Sequence, residues 1–167
     1  MSIFNAGFVY DVEYVGPDGK AAWTEKVHNL IPDQGVDFIA GLINGGATVV
    51  PTWYVGIFEN DYTPVAGTTA AALPGVVGES LSYQSPTRVE WEEVYDDVAK
   101  RLDNSANRAE FVFTADKRIY GGFLVSDPTK SSGAGTLLSI ARFSTPRDVE
   151  TGGTLRVLAG ITLVPSS

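Results

Sequence analysis

"TWYVGIFENDYTP", residues 52–64, is the stretch whose reading decides the fold. If its first half is extended, Trp53, Val55 and Ile57 share one face and Tyr54, Gly56 and Phe58 share the other. Apolar character on both faces marks an inner strand covered on both sides, not the half-exposed wall of a binding site. Gly56 then marks the place where a neighbouring ring or backbone comes close. The run stops in the acidic turn at Glu59, so recognition is expected in the loop that follows and not in the strand.

Short strands flank this stretch on either side. "FNAGFVYDVEYV" places Phe8, Tyr10, Val12 and Tyr14 on one face, which predicts a strand with one buried side. "GPDGK" is turn chemistry, and "AAWTEKVHNL" can return antiparallel with Trp23 toward the core. In "DQGVDFIAGLING", Val36, Ile39, Ala40 and Ile43 recur at helical spacing, with Asp33 as N-cap and Asn44-Gly45-Gly46 as terminator. This predicts one short α-helix over about 33–43. "RVEWEEVY" alternates around Val89, Trp91, Glu93 and Tyr95 as a strand, and "YDDVAKRLDNSA" reads as a helical turn or a polar loop. "RAEFVFTA" and "RIYGGFLVS" are strands separated by a two-residue turn at Asp116-Lys117; "GAGTLLSIARFS" and "GGTLRVLAGITLV" are two more. The expectation is a mainly β chain, an antiparallel β-sandwich or jelly-roll-like domain. Residues 1–28 form an N-terminal arm or hairpin, part of the domain or an interaction arm, and 29–167 a single β-sandwich domain.

Composition narrows the function classes. The 167 residues are 44% hydrophobic and 19% charged, enough apolar material for a core. A formal net charge of −8 repels phosphate backbones and argues against nucleic acid as a partner. No segment reaches the roughly 18–20 apolar residues of a membrane span, and the N-terminus does not read as a signal peptide, so a soluble protein with no membrane partner is expected. With no cysteine, neither disulfides nor thiolate chemistry enters, which suits a reducing cytoplasm.

Catalytic patterns are weak. His28 is the sole histidine and no G-x-S-x-G element accompanies it, so a hydrogen-bonded structural histidine is the commoner reading. Glu90, Glu92, Glu93, Asp96 and Asp97 are the best acid/base or calcium candidates, yet the calcium-loop spacing is absent and a solvated acidic face is the ordinary use of such a run. "GGFL", "SSGAGT" and "TGGT" lack the phosphate-loop order and read as turns or a bulge. Trp23, Trp53, Trp91, Tyr10, Tyr14, Tyr54 and Tyr95 suit a sugar-binding platform if exposed and a core if buried; burial is the commoner use. No enzyme, cofactor or metal is expected.

The order "HNLIPDQGVDFIAGLINGG", "TWYVGIF", "YTP", "SYQSPTRVEW", "NSANRAEFVFTADKRIYGGFLVS" and "GTLLSIARFSTPRDVETGGTLRVLAGITL" resembles a family of small tailed-bacteriophage virion proteins, the head decoration or capsid cement proteins. The resemblance spans about Asn29 to Leu163 and includes an R-x-V-x-x-G-x-x-L-x-V run from Arg147 to Val157. These are packing and turn motifs. The resemblance implies a non-enzymatic structural protein, assembled in the host cytoplasm and located on the virion capsid surface. Its implied partners are the major capsid protein and itself, as a homo-oligomeric dimer or trimer. The N-terminal "SIFNAGFVY" suits strand addition to a neighbour, with Ile3, Phe4 and Phe8 as contacts. The apolar, unpatterned loop from Asn60 to Gly78 is expected to order only on contact, offering Tyr62, Val65, Leu73 and Val76. The alternative is a receptor- or carbohydrate-binding module of a tail fibre or spike, although the chain lacks shaft-like repeats. A glycosidase built on Glu90, Glu92 or Asp96 is a third reading.

Overall fold

The structure, a computed structural model, describes residues 7–162. Two antiparallel sheets are stacked as a β-sandwich. The first sheet contains β1 (Phe8–Val15), β2 (Ala21–His28), β5 (Val94–Asp96), β6 (Arg101–Asp103), β7 (Ala109–Val112) and β10 (Thr154–Thr162). Its order is β2-β1-β10-β6-β5, with β7 sharing the far edge of β10 with β6. The second sheet runs β4-β3-β8-β9, from β4 (Val89–Glu90), β3 (Tyr54–Phe58), β8 (Lys117–Val125) and β9 (Leu137–Val149). One helix, α1 (Asp33–Asn44), packs against β9.

The main core lies between the sheets. Phe8, Tyr10, Val12 and Tyr14 of β1 and Leu155, Val157, Ala159 and Ile161 of β10 meet Val55, Ile57, Leu124 and Ala141 of the second sheet. The alternation read in β1 is therefore the inner face of the first sheet. A buried hydrogen bond of 2.7 Å between the Tyr10 and Ser139 hydroxyls ties the two sheets together. Where β6 and β7 leave a gap along β10, the Asn104 side chain fills in for the missing strand. Its carbonyl accepts from Ala159 N–H at 2.9 Å, and its amide donates to Val157 O at 3.1 Å.

Strand β3 is covered on both faces, as its composition required. Phe58 faces outward into a second cluster with Phe123, Val125, Leu137 and Ile140. The β3–β8 register pairs Gly56 with Phe123 and Phe58 with Gly121. A Cβ at Gly56 would fall 2.1 Å from the Phe123 ring, and one at Gly121 would fall 2.5 Å from the Phe58 ring. Each ring thus reaches over the glycine opposite with its outer edge, filling the space that glycine leaves.

What covers this outer face differs from expectation. The loop from Asn60 to Gly78, expected to order only on contact with a partner, is packed down by the chain itself as part of residues 59–80. A 3-10 turn at Ala70–Ala72 and a π-helical turn at Leu73–Val77 bury Ala70, Leu73 and Val77 over Phe58 and Phe123. The stretch lacks strand or helix periodicity because only its own tight turns aim these side chains inward.

Other local readings also shift. The alternation from Val89 to Tyr95 is broken at Trp91, whose indole is buried and donates to Ala159 O at 2.9 Å. That insertion carries the chain from the second sheet (β4) to the first (β5). The segment after Tyr95 is a β5–β6 hairpin, with Asp96 accepting from Val98 and Ala99 N–H at its turn. Asp116-Lys117 does not close a hairpin, since β7 pairs with β10 and β8 with β3 and β9. Asp116 instead binds Thr151 N–H and hydroxyl at 2.8 and 2.9 Å, turning the chain between sheets. The helix N-cap is Pro32, with Asp33 in the first turn, and Gly45 ends it in a left-handed conformation.

Gly56→Ala is expected to destabilise the chain by about 1–3 kcal/mol through overpacking against Phe123. Leu73→Ala is expected to cost about 2–5 kcal/mol. Urea midpoints measure both; a neutral Leu73→Ala would contradict the covering role of residues 59–80.

Candidate interaction surface

The covering segment is held at both ends and through its middle. Glu59 N–H donates to Gly78 O and Ser80 N–H to Ile57 O, both at 2.8 Å, so the segment begins and ends on β3. Asn60 donates its amide to Gly75 O and Val76 O. The Tyr62 and Thr68 hydroxyls bond at 2.7 Å, and Arg142 donates to Tyr62 O at 2.9 Å. Gln34 on α1 accepts from both Ala70 N–H and Leu137 N–H, at 3.0 and 2.8 Å, joining helix, cover and β9.

With the inner residues fixed, the outer ones stand toward solvent. Val65 is 57% and Val76 60% exposed, and Leu81 is exposed just past the segment. Of the contact residues read from the sequence, these two valines lie on the surface and Tyr62 is half-buried. Leu73 and Phe8 are buried in the chain's own cores, so they are withdrawn as surface contacts. Period-two alternation aims Phe8 between the sheets, and the π-helical turn aims Leu73 onto Phe58. Ile3 and Phe4 lie outside the described residues.

A buried ion pair fixes the segment that leaves this surface. The Arg88 guanidinium donates to both Glu79 carboxylate oxygens at 2.8 and 2.7 Å, and to Asp127 O and Ser132 O at 2.9 and 2.7 Å. Glu79 also accepts from Ser131 N–H at 2.9 Å. Lys130 lies 3.5 Å over the Tyr83 ring, and burial together with the Glu79 charge pushes the Tyr83 hydroxyl above the usual tyrosine range. This network locks residues 79–88 to the 127–132 loop. Nothing in the local sequence flags it, because Arg88 and Glu79 sit in polar stretches and meet only in the fold.

The catalytic candidates do not converge. His28 is exposed at the end of β2. Glu90 and Glu92 are exposed, and Asp96 is used by its hairpin turn. Among the described residues no three His, Cys, Asp or Glu side chains come together as a metal site would require. Trp53 and Trp91 are buried, Trp23 stacks on Tyr14, and Tyr95 alone of the aromatics singled out is largely exposed. No described helix is long and apolar enough to cross a membrane.

Glu25 is a second anchoring carboxylate, bridging β2 to β9. Partial burial opposes its charge, but hydrogen bonds from Ser144 and Arg147 prevail and hold its carboxyl below the usual range. A depressed folded-state pKa contributes stability above the unfolded value, which is lost as pH falls through the folded one. Thermal melts of Glu25→Gln are therefore expected to lose part of the wild-type decline in stability below pH 4.5.

For the buried pair, Arg88→Met alone is expected to cost about 3–5 kcal/mol, by stranding Glu79. The double variant Arg88→Met with Glu79→Leu should recover part of that loss in urea denaturation. No family model matches this chain, and no curated protein is significantly similar to it.

Proposed function

We propose that this chain is a structural virion protein of a tailed bacteriophage that binds the outside of the capsid shell and reinforces it. The observation that carries the reading is the outer surface of residues 59–81. Val65 and Val76 stand out to solvent from a segment whose inner side is locked by Leu73, Val77 and Gln34. Apolar side chains held rigidly at the surface lose little entropy on docking, so they suit a permanent contact. The scattered carboxylates and the exposed histidine give no matching case for catalysis. The likeness of the sequence to decoration proteins points the same way.

Such a protein works by mass action. It binds the assembled shell and not its separated parts, so its binding free energy adds to shell stability. Repetition over symmetry-related sites multiplies a modest contact. The partners proposed are the major capsid protein and further copies of this chain.

Cosedimentation with purified heads lacking the protein tests the reading. Wild type is expected to pellet with heads, and Val65→Asp or Val76→Asp to bind about tenfold more weakly with an unchanged melting temperature. Absence of wild-type binding to heads, together with retention on a glycan surface, would replace the proposal with a receptor-binding module.

A further inference from the structure

Helix α1 ends at Asn44, and Gly45 carries the chain out of it in the left-handed conformation, at φ 77° and ψ 10°. Ala47 N–H donates to Gly41 O at 3.0 Å and fixes the turn. Asn44 is exposed and is the one asparagine of the chain that a glycine follows. Its side chain lies against the backbone just beyond it. Asn44 Oδ1 accepts from Gly46 N–H at 2.8 Å, and a Cβ at Gly46 would fall 2.8 Å from the same oxygen. Gly45 is bare. Among the described residues, no atom beyond its chain neighbours lies within 4 Å of the place where a side chain would begin.

These features suit attack of a backbone nitrogen on a side-chain amide. A glycine nitrogen is the least hindered nucleophile that a following residue can offer. When it reaches Asn44 Cγ, negative charge develops on Oδ1, and that oxygen already holds a backbone donor. A donor aimed at developing charge lowers the barrier, as in an oxyanion hole, and a fixed turn spares the search for reactive geometry. The other described asparagines are placed differently. Asn29, Asn60 and Asn104 hold distant backbone groups through their side-chain amides. Asn107 is exposed but is followed by Arg108.

We propose that Asn44 is a modification site, at which the native chain deamidates by way of a succinimide formed with Gly45. The Gly45 nitrogen loses its proton to hydroxide and bonds to Asn44 Cγ. The Cγ–Nδ2 bond breaks, and ammonia leaves with a proton taken from water. Water then opens the ring at either carbonyl, leaving an aspartyl or isoaspartyl residue at position 44. Either product puts a negative charge at the C-terminus of α1, the end where the helix dipole disfavours it, in a last turn that holds no basic residue. This chemistry is independent of any capsid contact.

Peptide mass spectrometry after incubation at mildly alkaline pH in isotope-labelled water measures the conversion at each asparagine. Asn44 is expected to convert about tenfold faster than Asn107 in the native protein. Gly46→Ala, whose Cβ displaces Oδ1 from its donor, is expected to slow Asn44 several-fold in the native protein and to leave its rate in urea unchanged. Conversion at Asn44 no faster than at Asn107 would overturn the proposal. So would a Gly46→Ala variant with the wild-type native rate, or one slowed equally in urea, because the fold would then contribute nothing.

Discussion

The rest of the molecule depends on the reciprocal packing of Phe58 over Gly121 and Phe123 over Gly56 across the β3–β8 ladder. A sheet one face of which is already buried against a partner sheet needs water on the other, or a second cover. Here the second face carries two phenylalanines, so exposure would be costly. The rings occupy the space over the glycines opposite, and a short irregular segment closes over them. Leu73 and Val77 supply that closure, and residues 59–80 become part of the fold.

This double coverage explains the character of the surface above it. The two ends of the covering segment are bonded to β3, and its middle to Gln34 and Arg142. Its outward side chains are presented on a fixed frame, unlike those of a loop that orders on contact. The buried Glu79–Arg88 pair extends the frame to the 127–132 loop. Removing either charge strands the other, whereas replacing both removes the desolvation cost. That arrangement favours a single conformation more than it favours raw stability.

A catalytic site needs titratable groups brought together with shifted pKa values in a cleft. In this chain the depressed carboxylates have structural employment: Glu25 joins β2 to β9, Asp96 holds a hairpin turn, Asp116 holds the corner between sheets and Asp148 pairs with Arg118 across β8 and β9. Their hydrogen bonds account for their shifts, leaving no unexplained acid or base among them.

Much of the fold was legible in the residues themselves. Alternation in Phe8–Tyr14 and in Trp53–Phe58 set β1 and β3 because burial imposes a period on local sequence. The spacing of Val36–Ile43 marked α1, yet Val36 and Ile43 themselves stay exposed. Gly56 announced a close approach, although its partner ring was unknown. Sequence could not place contacts formed between distant turns. Leu73 looked like free surface because no period marks a side chain aimed by a single π-helical turn. Trp91 looked like one more alternating residue, yet its indole bond to Ala159 O moves the chain between sheets. Arg88 and Glu79 carried no local signal at all. The sequence by itself determined the long strands and their apolar faces, since those follow from near neighbours, but not the short β6, whose residues read as a helical turn or polar loop. Which apolar residues stay outside was decided only in the tertiary structure, where Leu73 is taken into the core and Val65 and Val76 are left to face solvent.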